Sequence, residues 1–225
     1  MRSARLGLLV LAVFAACSRE RRRPDAARTP APPAPAIDAA PPPPTPDAAP
    51  TALQLDLPAT IDEAGFWASI DLARSACEGD WSCFRRALEA SLGPRDTDFR
   101  AWFRAHYSLA DRRGLHFAFY IIQGGCSDDC FDYARPWLIA QGRAVYAAAL
   151  RDPDTLAALP KSALVGGFEQ EELLGLAFPA HPGDPDLPPR TPSLAKLPPD
   201  LPVRSIDDDE PFMKQHFPRL HRRFW

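Results

Sequence analysis

The chain has 225 residues, of which 46% are hydrophobic and 24% charged, enough apolar material for one ordinary globular domain. A formal net charge of −3 argues against a nucleic-acid binder, which needs a basic stripe for phosphates. The 27 prolines against 12 glycines are more than a packed domain accommodates, so most of that excess is expected outside the core.

Met1-Arg2-Ser3-Ala4-Arg5 is positively charged, and the apolar run from Leu6 to Ala16 that follows is about half the roughly 20 residues a spanning helix needs. Residues 1–16 therefore read as an export signal. Phe14-Ala15-Ala16-Cys17 resembles a bacterial lipobox, in which the cysteine is lipidated and becomes the mature N-terminus; Phe14 stands where leucine is usual. The competing reading is ordinary cleavage between Val13 and Ala16, with Cys17 merely nearby. Lipidation implies a membrane anchor at Cys17 and a chain held at the bacterial envelope. Ser18, rather than Asp, resembles the outer-membrane sorting rule of Gram-negative cells.

Arg19 to Arg23 would lie beside lipid headgroups if Cys17 is acylated, or form a solvated charge run if it is not. From Pro24 to Pro50 the chain is Pro, Ala, Asp and Thr without apolar periodicity, so it cannot bury enough surface to offset its ordering entropy. Residues 17–56 are thus expected to be a disordered tether. In polyproline II, at about 3.1 Å per residue, the Pro24–Pro50 stretch would reach roughly 80 Å from the membrane.

Residues 57–225 change character. Thr60 and Glu63 have capping-box spacing, and Ile61, Phe66, Trp67, Ile70 and Ala73 recur at helical intervals up to Glu78-Gly79-Asp80. Trp81, Phe84, Leu88 and Leu92 stripe a second helix that ends at Gly93-Pro94. A third starts at Asp96 and carries Phe99, Trp102, Phe103, His106 and Leu109 as far as Arg113-Gly114. Leu115 to Ile122 is nearly all apolar; with no second strand to pair with, it is expected to be a buried helix.

Gly124-Gly125 then forms a turn, and Ser127, Asp128 and Asp129 open the next helix with a cap and two acids on its dipole. Helix is expected again over Ala144–Leu150, a short turn of it at Asp154–Leu159, and another helix from Phe168 to Phe178. Pro179 to Pro202 reads as an irregular surface strap. One last helix starts at Asp207-Asp208-Asp209-Glu210-Pro211, with Phe212, His216, Phe217, Leu220 and Phe224 on one side. Its basic face of Lys214, Arg219, Arg222 and Arg223 is a candidate for anionic lipid, against the plainer reading of a docked amphipathic helix. The domain reads as all-α with a single core.

These residues resemble the bacterial family called domain of unknown function 4240. The resemblance lies in Phe66-Trp67-Ala68-Ser69-Ile70-Asp71 and in the central Tyr120-Ile121-Ile122-Gln123-Gly124-Gly125-Cys126-Ser127-Asp128-Asp129. It continues through Phe131-Asp132-Tyr133-Ala134-Arg135, Trp137 to Arg143, Val145-Tyr146, Asp152 to Leu156, and Phe217-Pro218-Arg219-Leu220. The family implies no settled activity and no catalytic residues. Cys130 stands where its pattern usually has a small residue, and Pro136 stands inside a helix, where it removes a hydrogen bond and forces a kink or a new start.

Chemistry concentrates in the central turn. Besides Cys17 the cysteines are Cys77, Cys83, Cys126 and Cys130, an even number that in an exported chain reads as a disulfide framework. Local pairing at each corner is preferred; a cross-link between the corners and a four-cysteine zinc site are the alternatives. Gly124, Gly125, Cys126, Ser127, Asp128, Asp129 and Asp132 form the candidate ligand pocket. The leading reading is a binding module for an unidentified protein or small molecule, with no cofactor assigned.

The rival reading is an enzyme of unknown reaction using Cys126, Asp128 and Asp129, either thiol-assisted with His106 or His116 as base or metal-assisted with Asp132. His116, in an apolar run, reads more simply as a core histidine, and Trp67, Trp81, Trp102 and Trp137 as core.

Labelled palmitate is expected to enter the wild-type chain and not Cys17→Ala in a bacterial host. Incorporation that survives the substitution would refute the anchor.

Overall fold

The structure is a computed structural model that describes residues 53–165, 167–168, 170–178, 187–194, 196–202 and 209–225. The export signal, Cys17, most of the tether, residues 179–186 of the strap and Asp207-Asp208 lie outside the described residues. Among the described residues the fold is all-α, with ten α-helices and no strand.

α1 (Glu63–Cys77) is capped by Asp62, whose carboxylate accepts from the Gly65 amide at 2.8 Å, and not by Thr60. The Thr60 carbonyl instead folds over the helix start. A Cβ on Gly65 would stand 2.3 Å from that oxygen, so the entry needs glycine there. Glu78 ends α1 in the left-handed region, and Asp80 opens α2 (Trp81–Leu92) by accepting from the Cys83 amide at 2.9 Å. α3 (Asp96–Leu109) stops short of the expected Arg113-Gly114 because Arg112 is extended, with φ −131° and ψ 134°.

α4 (Arg113–Gln123) is the expected buried helix. Leu115, Phe117, Ala118, Phe119, Ile121 and Ile122 are all buried, and the half-buried His116, Tyr120 and Gln123 mark the side of the helix nearer the surface. α5 (Asp128–Ala140) passes through Pro136 without a new start, because Phe131, Ala134, Trp137 and Leu138 anchor it in the core on both sides of the proline. α6 (Arg143–Arg151) leads to a 3₁₀ segment over Pro153–Ala158. Between α5 and α6, Gly142 has φ +89°, and a Cβ there would lie 2.8 Å from Asp71 Oδ1.

Two expectations fail on local backbone chemistry. The helix expected from Phe168 to Phe178 is only α8 (Glu171–Leu174), followed by turns from Gly175; a short α7 (Lys161–Leu164) precedes it and was not foreseen. The single last helix is two, α9 (Glu210–His216) and α10 (Pro218–Phe224). Proline disfavours helical backbone in the residue before it, and Phe217 breaks out at φ −134°, ψ 53°.

That break has a partner. The buried Asp154 carboxylate accepts from the Arg219 and Leu220 amides at the start of α10 and from Arg219 Nε at 2.8 Å. The basic face is largely committed as well: Arg223 donates to the Ala157 and Leu159 carbonyls, and Lys214 pairs with Glu210.

The core is strongly aromatic. Phe66, Phe99 and Phe103 form one group, Phe119, Trp137 and Phe168 another, and Phe117, Phe212 and Phe217 a third that seats α9 and α10. Trp67 and Trp137 are buried as expected, whereas Trp81 and Trp102 are half-buried. His106 is fully buried between Phe66, Trp67 and Tyr146, 3.4 Å from Glu63 Oε1, with no hydrogen-bond partner on either ring nitrogen among the described residues.

Burial lowers the His106 pKa to about 4, against the opposing pull of Glu63. The folded chain therefore binds this proton later than the unfolded chain does. The associated stability is complete above about pH 6.5 and is lost as pH falls toward 4, by about 3 kcal/mol. In urea unfolding at pH 7.5 and pH 4, His106→Phe should lose correspondingly less on acidification than wild type. An equally steep loss in the variant would contradict a buried neutral imidazole.

Candidate functional site

The residues around the start of α5 build a corner and a cleft, which are distinct. Gly124 caps α4 in the left-handed region at φ +71°, and Gly125 follows at φ +141°, its amide donating to the Tyr120 carbonyl at 2.9 Å. Only glycine adopts this pair cheaply. Ser127 then caps α5 by accepting from the Cys130 amide at 3.2 Å, with Asp128 and Asp129 in the first turn. Cys126 is bonded to Cys130, and Cys77 to Cys83, with Cα separations of 5.3 and 5.6 Å. The local pairing is the one formed, and each short loop contributes about 2 kcal/mol at best.

The cleft, about 320 Å³, lies beside this corner and is lined by Asp111, Arg112, Arg113, His116, Asp128, Phe131, Asp132 and Arg135. Of the seven residues expected to form a pocket, Asp128 and Asp132 line it. Gly124, Gly125, Cys126, Ser127 and Asp129 shape the corner instead.

Arg135, 8% exposed, is the hub. Its guanidinium pairs with Asp132, lies 3.9 Å above the Tyr107 ring centroid and 5.1 Å from that of Phe131, and reaches to 4.0 Å from Asp111. Tyr107 donates its hydroxyl to Asp132 Oδ1 at 3.2 Å. Burial, with help from Asp132 and against Arg135, raises the Tyr107 phenol pKa to about 12, so it stays a protonated donor at neutral pH. On the other face of Phe131, His116 stacks at 4.6 Å and donates from Nε2 to the Cys126 carbonyl at 2.9 Å. His116 is therefore half-buried and satisfied at the cleft wall rather than set in the core.

These contacts bear on the thiol and carboxylate forms of the enzyme reading. The Cys126 sulfur is bonded to Cys130 and offers no thiolate. Asp132 is held by Arg135 and Tyr107, so Asp128, Asp129 and Asp132 do not converge as a carboxylate triad. Among the described residues no group of three or more His, Cys, Asp or Glu side chains is arranged to hold a metal ion, the four cysteines included.

A family model described as a protein of unknown function (DUF4240) matches residues 61–181, more than half of the chain. The chain belongs to this family. No curated protein matches it, and no solved structure does. Every residue lining the cleft falls inside the DUF4240 span, whereas Phe217-Pro218-Arg219-Leu220, read above as part of the resemblance, lies beyond it.

Tyr107, Asp111, Arg112, Arg113, Phe131 and Arg135 were missed as site residues. The charged break Asp111-Arg112-Arg113 just before a buried apolar helix was the available signal, since such a helix start stands beside whatever packs on its first turn.

Under non-reducing conditions Cys77, Cys83, Cys126 and Cys130 should all resist alkylation in chain produced in an oxidising compartment, and all four should react after reduction. Peptide mass mapping reads this directly, and an alkylated Cys126 in the unreduced sample would restore the thiol reading.

Proposed function

We propose that this chain is an exported bacterial lipoprotein whose tether holds a rigid, non-catalytic binding module of the DUF4240 family at the cell envelope. The cleft between the start of α4 and the start of α5 is its recognition surface. One observation carries the reading: Arg135, Asp132, Tyr107, Phe131 and His116 fix one another, while the Arg113 guanidinium and the Asp128 carboxylate on the rim have no side-chain partner among the described residues. A rim with charges of both signs on a wall of mutually packed side chains suits recognition, because little freedom of the wall is left to lose when a ligand binds. The complementary ligand is a polar molecule or protein surface that presents a carboxylate to Arg113 and an ammonium group to Asp128.

The lipobox-like Cys17 and the proline-rich tether support the envelope placement. They position a domain and add no chemistry.

A photo-crosslinking residue in place of Arg113 or Asp128, in the full chain in its native host, should give the same discrete adduct from both positions. None is expected from the exposed Arg222. The Arg113 adduct should weaken about tenfold when Asp128→Lys is added, as expected for loss of a charge-assisted contact. Equal labelling at Arg222, or none at either rim position, would refute the cleft.

A further inference from the structure

A second cleft, about 690 Å³, lies away from the first. It is formed where the end of α1, the start of α2 and the α5–α6 turn meet the segment that carries α7. Its walls include Trp81 and Pro160 as apolar surfaces, and Arg74, Glu78, Gln141, Ser162 and Gln170 as polar ones.

The state of these polar groups defines what would fit. Gln170 donates its side-chain amide to the Gly167 carbonyl at 3.0 Å, and Gln141 donates more weakly to the Trp137 carbonyl at 3.4 Å. Both donor ends are therefore turned to backbone, and both side-chain oxygens are left as acceptors. The Glu78 carboxylate, the Ser162 hydroxyl and the Trp81 indole N–H have no partner among the described residues. Arg74 is engaged by Asp71 at 3.3 Å. Among the described residues the ionisable lining groups are one Arg and one Glu, whose charges balance.

A strongly charged ligand gains nothing from such a lining, and a purely apolar one would strand its acceptors. A ligand rich in neutral hydroxyl donors, with an apolar face for the indole, satisfies both demands.

Glu78 adds an independent argument. It caps α1 at φ +46°, and it is the non-glycine residue with positive φ among the described residues. Glycine is the usual occupant of a left-handed helix end, and a side chain there costs about 1 kcal/mol. What the strained residue contributes is a carboxylate at the cleft wall, beside the Cys77–Cys83 bond that holds the corner.

We infer that the Trp81 cleft is a binding site for a neutral saccharide. The C–H face of one sugar ring lies on the indole, where the negative π face meets weakly positive hydrogens. Its hydroxyls donate to Glu78, Gln141 and Gln170 and accept from the Trp81 N–H and Ser162. The size is that of a site for a drug-sized ligand, enough for a short oligosaccharide.

The test uses the full mature chain with its disulfides intact, screened on an array of neutral and acidic oligosaccharides, then by calorimetry with the strongest neutral ligand. Binding should weaken at least tenfold in Trp81→Ala and in Gln170→Ala and stay unchanged in Arg113→Ala, which touches only the other cleft. Trp81 packs against Phe84, so Gln170→Ala carries the test if Trp81→Ala unfolds. No neutral glycan bound, binding of acidic glycans only, or an affinity indifferent to Gln170→Ala would overturn the inference. A loss confined to Arg113→Ala would move the sugar to the first cleft and overturn it too.

Discussion

The amides that open α4 have no acceptor in their own neighbourhood, and the way they are satisfied organises the domain. Arg112, at the cap position, makes no side-chain cap, and the helix it precedes is buried over most of its surface. Unpaired N–H groups at such a place cost about 1–3 kcal/mol each. Asp200, from the strap 87 residues later, takes both: its carboxylate accepts from the Arg113 amide at 2.8 Å and the Gly114 amide at 3.1 Å. Arg112 returns the contact by donating to the Pro198 carbonyl at 2.7 Å. Asp154 does the same for α10 across 65 residues. Acids remote in sequence thus close the starts of α4 and α10, and the irregular C-terminal part is bound to the helices through them.

The strap continues this over α1 and α3. The Ser193 amide donates to the Glu63 carboxylate, and Arg190 pairs with Asp98 and stacks over Trp102 at 5.6 Å. Glu63 is therefore held from outside by the strap while standing 3.4 Å from the buried His106. The order of the core and the order of the strap are linked through one carboxylate. The segment around Asp111 to Arg113, fixed from above by Asp200, in turn supplies one wall of the α4–α5 cleft.

Much of the framework was legible because it is local. Apolar spacing placed α1, α2 and α3, and the continuous apolar run of α4 reads as a buried helix because the chain offers no strand to pair with it. Ser127 with its acids marked α5, and each cysteine pair lay within six residues. Legibility failed where a neighbour in space decides: Asp62 rather than Thr60 caps α1 because of how the chain folds over Gly65, and α5 survives Pro136 because the core grips both of its halves. The break before Pro218 was readable in principle, since proline restricts the residue ahead of it, but the amphipathic stripe ran through it and outweighed that signal.

The site divides along the same line. The sequence by itself determined an all-α domain, its family, the corner at Gly124 to Cys130 and the pairing preference of its cysteines, since each rests on residues a few positions apart. Only the tertiary structure decided that the glycines, Ser127 and Asp129 serve as scaffold, and that Arg135 joins Tyr107, Phe131, Asp132 and Asp111 into a cleft wall. It alone showed Trp81 and Gln170, 89 positions apart, lining one cavity. Such groups meet through packing of helices distant in the chain, and no spacing or periodicity encodes that meeting.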